Sequence, residues 1–172
     1  MDNWDPELTD GLAKTHRVIL FDNRGVGSSE GEAPETIDAM ANDAIAFIHA
    51  LGLKKVDMLG FSLGAFIAQK IVINEPALVN KLILAGTGPE GGDITDNGPV
   101  IENKEKLTPQ QMLLHLFYDT AAISQTEGKA AIARLGQRTV NRDANTKVPS
   151  ILAQNKAIEA FNGRAFFYIF FC

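Results

Sequence analysis

Gly60-Phe61-Ser62-Leu63-Gly64 is the stretch of this chain best suited to chemistry: a serine hydroxyl with glycine two residues to either side. It follows the largely apolar run Val56-Asp57-Met58-Leu59 and precedes a helix-like segment over 63–74. A serine at the tip of so tight a strand-to-helix turn is forced into a backbone conformation most residues avoid, and flanking side chains would collide there. Glycine at 60 and 64 is expected to remove the collision. The turn then lifts the Ser62 hydroxyl clear of the sheet as a nucleophile, while the backbone N–H of Leu63, at the helix start, points to where an oxyanion would form. The competing reading is a small residue in an ordinary βα turn.

A second motif lies upstream. Arg17-Val18-Ile19-Leu20-Phe21 is expected to form a short strand, and Asp22-Asn23-Arg24-Gly25-Val26-Gly27-Ser28-Ser29 follows it. This D-x-R-G-x-G-x-S loop after one strand, with the G-x-S-x-G elbow after the next, resembles the Ser-nucleophile members of the α/β-hydrolase superfamily. The pair is far more specific than either motif alone. The resemblance implies a partial α/β-hydrolase fold: a parallel sheet flanked by helices over residues 1–88, a helical cap region over 89–162, and an aromatic tail over 163–172 that does not match the family. Serine rather than aspartate at the elbow disfavours a dehalogenase.

Gly25 and Gly27 invite a rival reading as a dinucleotide-binding loop. The third glycine of G-x-G-x-x-G would fall at Glu30, an anion where pyrophosphate should sit, and no helix is expected before Thr36. The glycines are therefore read as turn formers, and no cofactor or metal is assigned. A chain of 172 residues with 45% apolar content suffices for one packed domain, and its net charge of −5 argues against a nucleic-acid or anionic-membrane surface. The expected ligand is a small neutral or apolar molecule. Met1-Asp2-Asn3-Trp4-Asp5 has no apolar signal core and no run is long enough to span a bilayer, so a cytoplasmic location is expected. The single cysteine, Cys172, has no partner for an internal disulfide.

The elements that must hold these motifs follow from periodicity. Residues 4–14 suggest a short helix or turn. Thr36 is placed to cap a helix whose apolar positions Ile37, Met40, Ala41, Ala44, Ile45, Ile48 and Leu51 repeat at three and four before Gly52. Strands are expected over 55–59 and 81–85, with the helix carrying Gly64, Ala65 and Ala68 between them, which implies parallel pairing. A Gly/Pro/Asp-rich loop over 87–99 leaves the last strand, and helices are expected over 108–120, 128–139 and 149–161.

The chain departs from the family in what should accompany Ser62. A serine hydrolase of this fold orders its triad as Ser, acid, His. Only His115 follows Ser62, inside the cap region, and it reads better as a plain cap-helix histidine than as a base; His49 reads as part of a solvated helix face, and His16 merely precedes a strand. Asp93, Asp96, Asp119 and Asp143 follow no core-like strand, so no triad acid is assigned. The resemblance implies earlier strands, one of them lying between strands 17–21 and 55–59, and a loop giving a second oxyanion N–H; truncation at both ends is therefore expected. The tail, with Ala165-Phe166-Phe167-Tyr168-Ile169-Phe170-Phe171-Cys172, is too short for a membrane span and reads as artefactual or aggregation-prone. Two functions stand: a serine hydrolase acting on an ester, lactone or similar carbonyl through Ser62, or a catalytically incompetent fragment or binding remnant lacking acid and histidine, with self-association through exposed edges and tail.

Overall fold

The computed structural model describes residues 2–92 and 107–161. The aromatic tail with Cys172, and Asp93 and Asp96, lie outside the described residues. The order of elements is α1 (Pro6–Ala13), α2 (Ile37–Ala50), β1 (Val56–Phe61), α3 (Leu63–Asn74), a 3-10 turn (Pro76–Leu78), β2 (Val79–Ala85), α4 (Pro109–Phe117), α5 (Ala122–Leu135) and α6 (Val148–Ala160). They fall into two compact units. One holds described residues 22–92 and 144–161, the other 2–21 and 107–143.

The first unit is built around the parallel pair β1–β2, joined through α3, with Leu59 opposite Ile83 and Phe61 opposite Ala85. Local signals explain its helices. Thr36 Oγ1 accepts the Ala39 N–H at 3.2 Å and starts α2. At the other end Gly52 N–H donates to His49 O and Leu53 N–H to Ile48 O, a Schellman closure that ends the helix where the glycine stands. The expected stripe Ile37, Met40, Ala41, Ala44, Ile45, Ile48 is buried, but Leu51, past the last helical residue, is exposed. The stripe meets Phe66, Ile67 and Ile71 of α3 and Ala157 and Phe161 at the end of the chain's last described segment, with Val56, Met58 and Val79 of the sheet packed against them. Burying one such Met or Ile contributes about 2–3 kcal/mol relative to leaving it in water.

Two expectations need correction. Residues 17–21 join no strand: the sheet of the described residues has two members, and Ile19 and Phe21 stay more than a third exposed. An apolar β-branched run becomes a strand only where a neighbouring edge takes up its N–H and C=O groups. In the second unit α5 begins at Ala122, not at Gly128. Gly128 sits inside the helix because a Cβ there would lie 2.6 Å from the Tyr118 ring and 2.7 Å from Leu114 as α4 and α5 pack. α4 starts from a capping box, Thr108 N–H to Gln111 Oε1 at 2.8 Å and Gln111 N–H to Thr108 Oγ1 at 3.2 Å. No described helix is long and apolar enough to cross a membrane.

Candidate active site

β1 runs straight into Ser62, and α3 starts at the next residue. Ser62 has φ 51° and ψ −122°, a left-handed conformation that costs a non-glycine residue about 1–3 kcal/mol and persists only where its surroundings over-determine it. Three backbone bonds do so. Ser62 N–H donates to Ala85 O of β2 at 2.9 Å, and Ser62 O accepts from Ala65 N–H at 2.8 Å and Phe66 N–H at 3.3 Å. A Cβ on Gly60 would stand 2.6 Å from Ala65 Cα and from Gly64 O, so no other residue fits below the turn. Gly64 is different from its expectation: a Cβ there would meet nothing within 4 Å. Ala65 and Ala68 are buried and allow the close approach of α3 to the strands.

The Ser62 side chain does not cap α3. It is half-buried, and among the described residues no histidine or carboxylate is hydrogen-bonded to it. Leu63 is the first residue of α3, so its N–H has no acceptor within the helix and is available beside the serine. The upstream loop folds as turns. Gly25 and Gly27 have φ 73° and 56°, Ser29 Oγ donates to Asp22 O at 2.8 Å, and buried Ser150 Oγ donates to Gly25 O at 2.6 Å. The helix after this loop begins only at Ile37, as Thr36 foretold.

The histidines are accounted for elsewhere. His115 is exposed in the last turn of α4, in the unit that does not contain Ser62. His49 Nε2 lies 2.8 Å from Glu75 Oε2 on an exposed surface, and His16 Nδ1 is 2.8 Å from Thr15 Oγ1. Asp119 Oδ1 accepts the Ala121 N–H ahead of α5, and Asp143 Oδ2 accepts the Asp2 N–H.

Sequence reasoning missed two polar residues on α3, the helix that follows Ser62. Gln69, buried on α3, donates from Nε2 to Thr87 Oγ1 at 3.3 Å and to Gly88 O at 3.1 Å. Lys70 Nζ donates to Glu90 Oε1 at 2.8 Å, sits 3.5 Å from Asp38 Oδ1, and lies 5.8 Å from the Phe161 ring centroid. Burial works against the Lys70 charge, but the bond to Glu90 and the nearby charges of Asp38 and Glu90 outweigh it and raise its pKa. The only sequence signal was two adjacent polar residues within an otherwise apolar helix, Gln69-Lys70 between Ala68 and Ile71.

A family model for the alpha/beta hydrolase fold matches residues 1–158, and the chain belongs to that family. A solved alpha/beta hydrolase fold protein from Chitinophaga pinensis superimposes with a TM-score of 0.85 at 38% identity, over 95% of this chain and 60% of its own. In sequence the chain is 37% identical, over 83 residues, to the Rhizobium rhizogenes protein named "Putative carbamate hydrolase RutD", which is 47% of this chain and 31% of that protein. It is 33% identical over 85 residues to a 2-hydroxy-6-oxononadienedioate/2-hydroxy-6-oxononatrienedioate hydrolase from a Pseudomonas species, 49% of this chain and 30% of the relative. The matches therefore span about a third of the length of the curated relatives.

Proposed function

We propose that this chain is the nucleophile-bearing part of a serine hydrolase acting on an ester, lactone or similar small carbonyl compound. The observation that carries the reading is the left-handed Ser62 between β1 and α3. A turn that needed only a small residue would be met at no strain by glycine; holding a serine there spends stability to present a hydroxyl. In a form carrying a general base, Ser62 Oγ attacks the carbonyl carbon as its proton passes to that base, the Leu63 N–H donates to the oxygen that takes up the π pair, and return of that pair expels the alcohol, which leaves with the proton. In this reading the region over 1–88 carries Ser62, and the substrate is a small neutral or apolar molecule. Relatives named for hydrolysis of a carbamate and of a 2-hydroxy-6-oxo diacid are in keeping with attack on a carbonyl.

A second reading is favoured by one observation: no described histidine or carboxylate is hydrogen-bonded to Ser62. In a serine protease, losing the histidine costs on the order of a million-fold in turnover. The 172-residue chain by itself is thus expected to have little or no esterase activity, while a form carrying a downstream acid and histidine is expected to label with a phosphonate at Ser62. Labelling and aryl-ester turnover that survive Ser62→Ala in that form would overturn the nucleophile assignment. Strong turnover by the 172-residue chain, abolished by His115→Ala, would instead make His115 the base. Self-association through open sheet edges is read by size-exclusion chromatography with and without residues 165–172, and a monomer in both cases would argue against it.

A further inference from the structure

The strain at Ser62 needs a brace, and its one bond to the neighbouring strand depends on a peptide that glycine leaves loose. The acceptor of the Ser62 N–H is the carbonyl of Ala85, the last residue of β2, and that carbonyl belongs to the peptide joining Ala85 to Gly86. Gly86 has φ 59° and passes over the Phe61 ring, where a Cβ would come within 3.0 Å of Cε2. A glycine at a strand end samples many conformers, so the plane of the 85–86 peptide is held only if the chain beyond Gly86 is pinned. It is pinned to α3. Gln69 lies about two helical turns below Ser62, on the same side of the helix, and its Nε2 reaches both Thr87 Oγ1 and Gly88 O. The next residue, Lys70, ties Glu90. The nucleophile helix thus grips the segment whose first carbonyl holds the nucleophile's own amide.

We propose that Gln69 is a positioning residue for the elbow: by fixing residues 87–88 it orients the Ala85 carbonyl and so keeps Ser62 in its left-handed conformation. The inference rests on reading Ser62 as the nucleophile, but its mechanics are separable from catalysis. A buried polar side chain with both amide hydrogens directed at one loop is costly to keep unless those bonds are made.

The test is hydrogen–deuterium exchange on the 172-residue chain, resolved to the Ser62 amide. Gln69→Met keeps the length and apolar volume of the side chain and removes the donors. Losing them is expected to speed exchange at Ser62 and at residues 86–88 by about tenfold, with the amides of α2 unchanged. Thr87→Val removes one of the two acceptors and is expected to give a smaller rise at the same amides, whereas Thr87→Ser keeps the hydroxyl and should match the parent; these two report on the clamp even if Gln69→Met does not fold. An unchanged Ser62 amide in Gln69→Met or in Thr87→Val, or a rise spread evenly over α2, would overturn the proposal and leave Gln69 with a general packing role. Because the readout is exchange, its failure is distinct from a failure of Ser62 to label with a phosphonate.

Discussion

Each of the two compact units is held together internally by a different force. Every buried apolar residue among those described belongs to the unit with α2, α3, α6 and the sheet, where Met40 and Ile71 are essentially sealed from water. Among the described residues of the unit with α1, α4 and α5, only Gly128 is buried. That unit is laced by charge: Arg134 grips Asp5 through two nitrogens and also reaches Glu7, while Arg138 and Arg142 converge on Asp2. The difference teaches where precision is spent. A strained serine can be maintained only by a close-packed interior that transmits no slack, and the elbow lies in the unit that has one.

The largest effects should come from breaking that interior. Gly60→Val places a side chain where backbone already stands, and is expected to abolish cooperative unfolding or cost more than about 3 kcal/mol, whereas Gly64→Ala should lie within about 1 kcal/mol of the parent. Chemical denaturation of both variants checks the contrast, and equal costs would mean that Gly64 is crowded after all. Next comes cavity creation. Ile71→Ala should lose about 2–5 kcal/mol, against less than about 0.5 for Ile123→Ala, which is 80% exposed in the other unit.

Ser62→Gly sharpens the comparison from the other side. It removes the hydroxyl and relieves the left-handed strain, so the melting temperature should rise by the equivalent of about 1 kcal/mol, while a form carrying the downstream acid and histidine should lose its phosphonate labelling. A fall in stability would show that the serine side chain contributes to packing.

The smallest effects belong to the charge-laced unit. The Arg134 hydrogen bonds hold the Asp5 carboxyl below the ordinary carboxylate range, against the opposing effect of burial. A group whose folded pKa is depressed contributes stability above its unfolded pKa and loses it as pH falls through the folded one. Exchange of α1 amides should therefore accelerate as pH drops below the ordinary aspartate range, once intrinsic exchange rates are allowed for, and Arg134→Ala should flatten that dependence. Molar salt should loosen the same contacts while sparing α2 and α3.

Much of the elbow was legible in the sequence because its signals are local. Glycine spacing around Ser62, the helix register from Leu63 to Asn74, the Thr36 cap, the stripe along α2 and the parallel pairing of two apolar runs each depend on dihedral preference and periodicity within a few residues. The left-handed serine itself was foreseeable on the same grounds.

What depended on distant partners was not legible. Whether 17–21 forms a strand is decided by the presence of an edge to pair with, and Gly128 reads as a helix breaker until Tyr118 is seen against it. Gln69 and Lys70 looked like ordinary polar residues on a helix. Their role is set by bonds to Thr87, Gly88 and Glu90, some twenty residues on, which exist only because β2 returns beside β1 and delivers its exit loop to α3. The sequence by itself determined that a serine would stand on a strained turn; the tertiary structure decided what braces it, since buried hydrogen bonds join groups that chain order keeps apart.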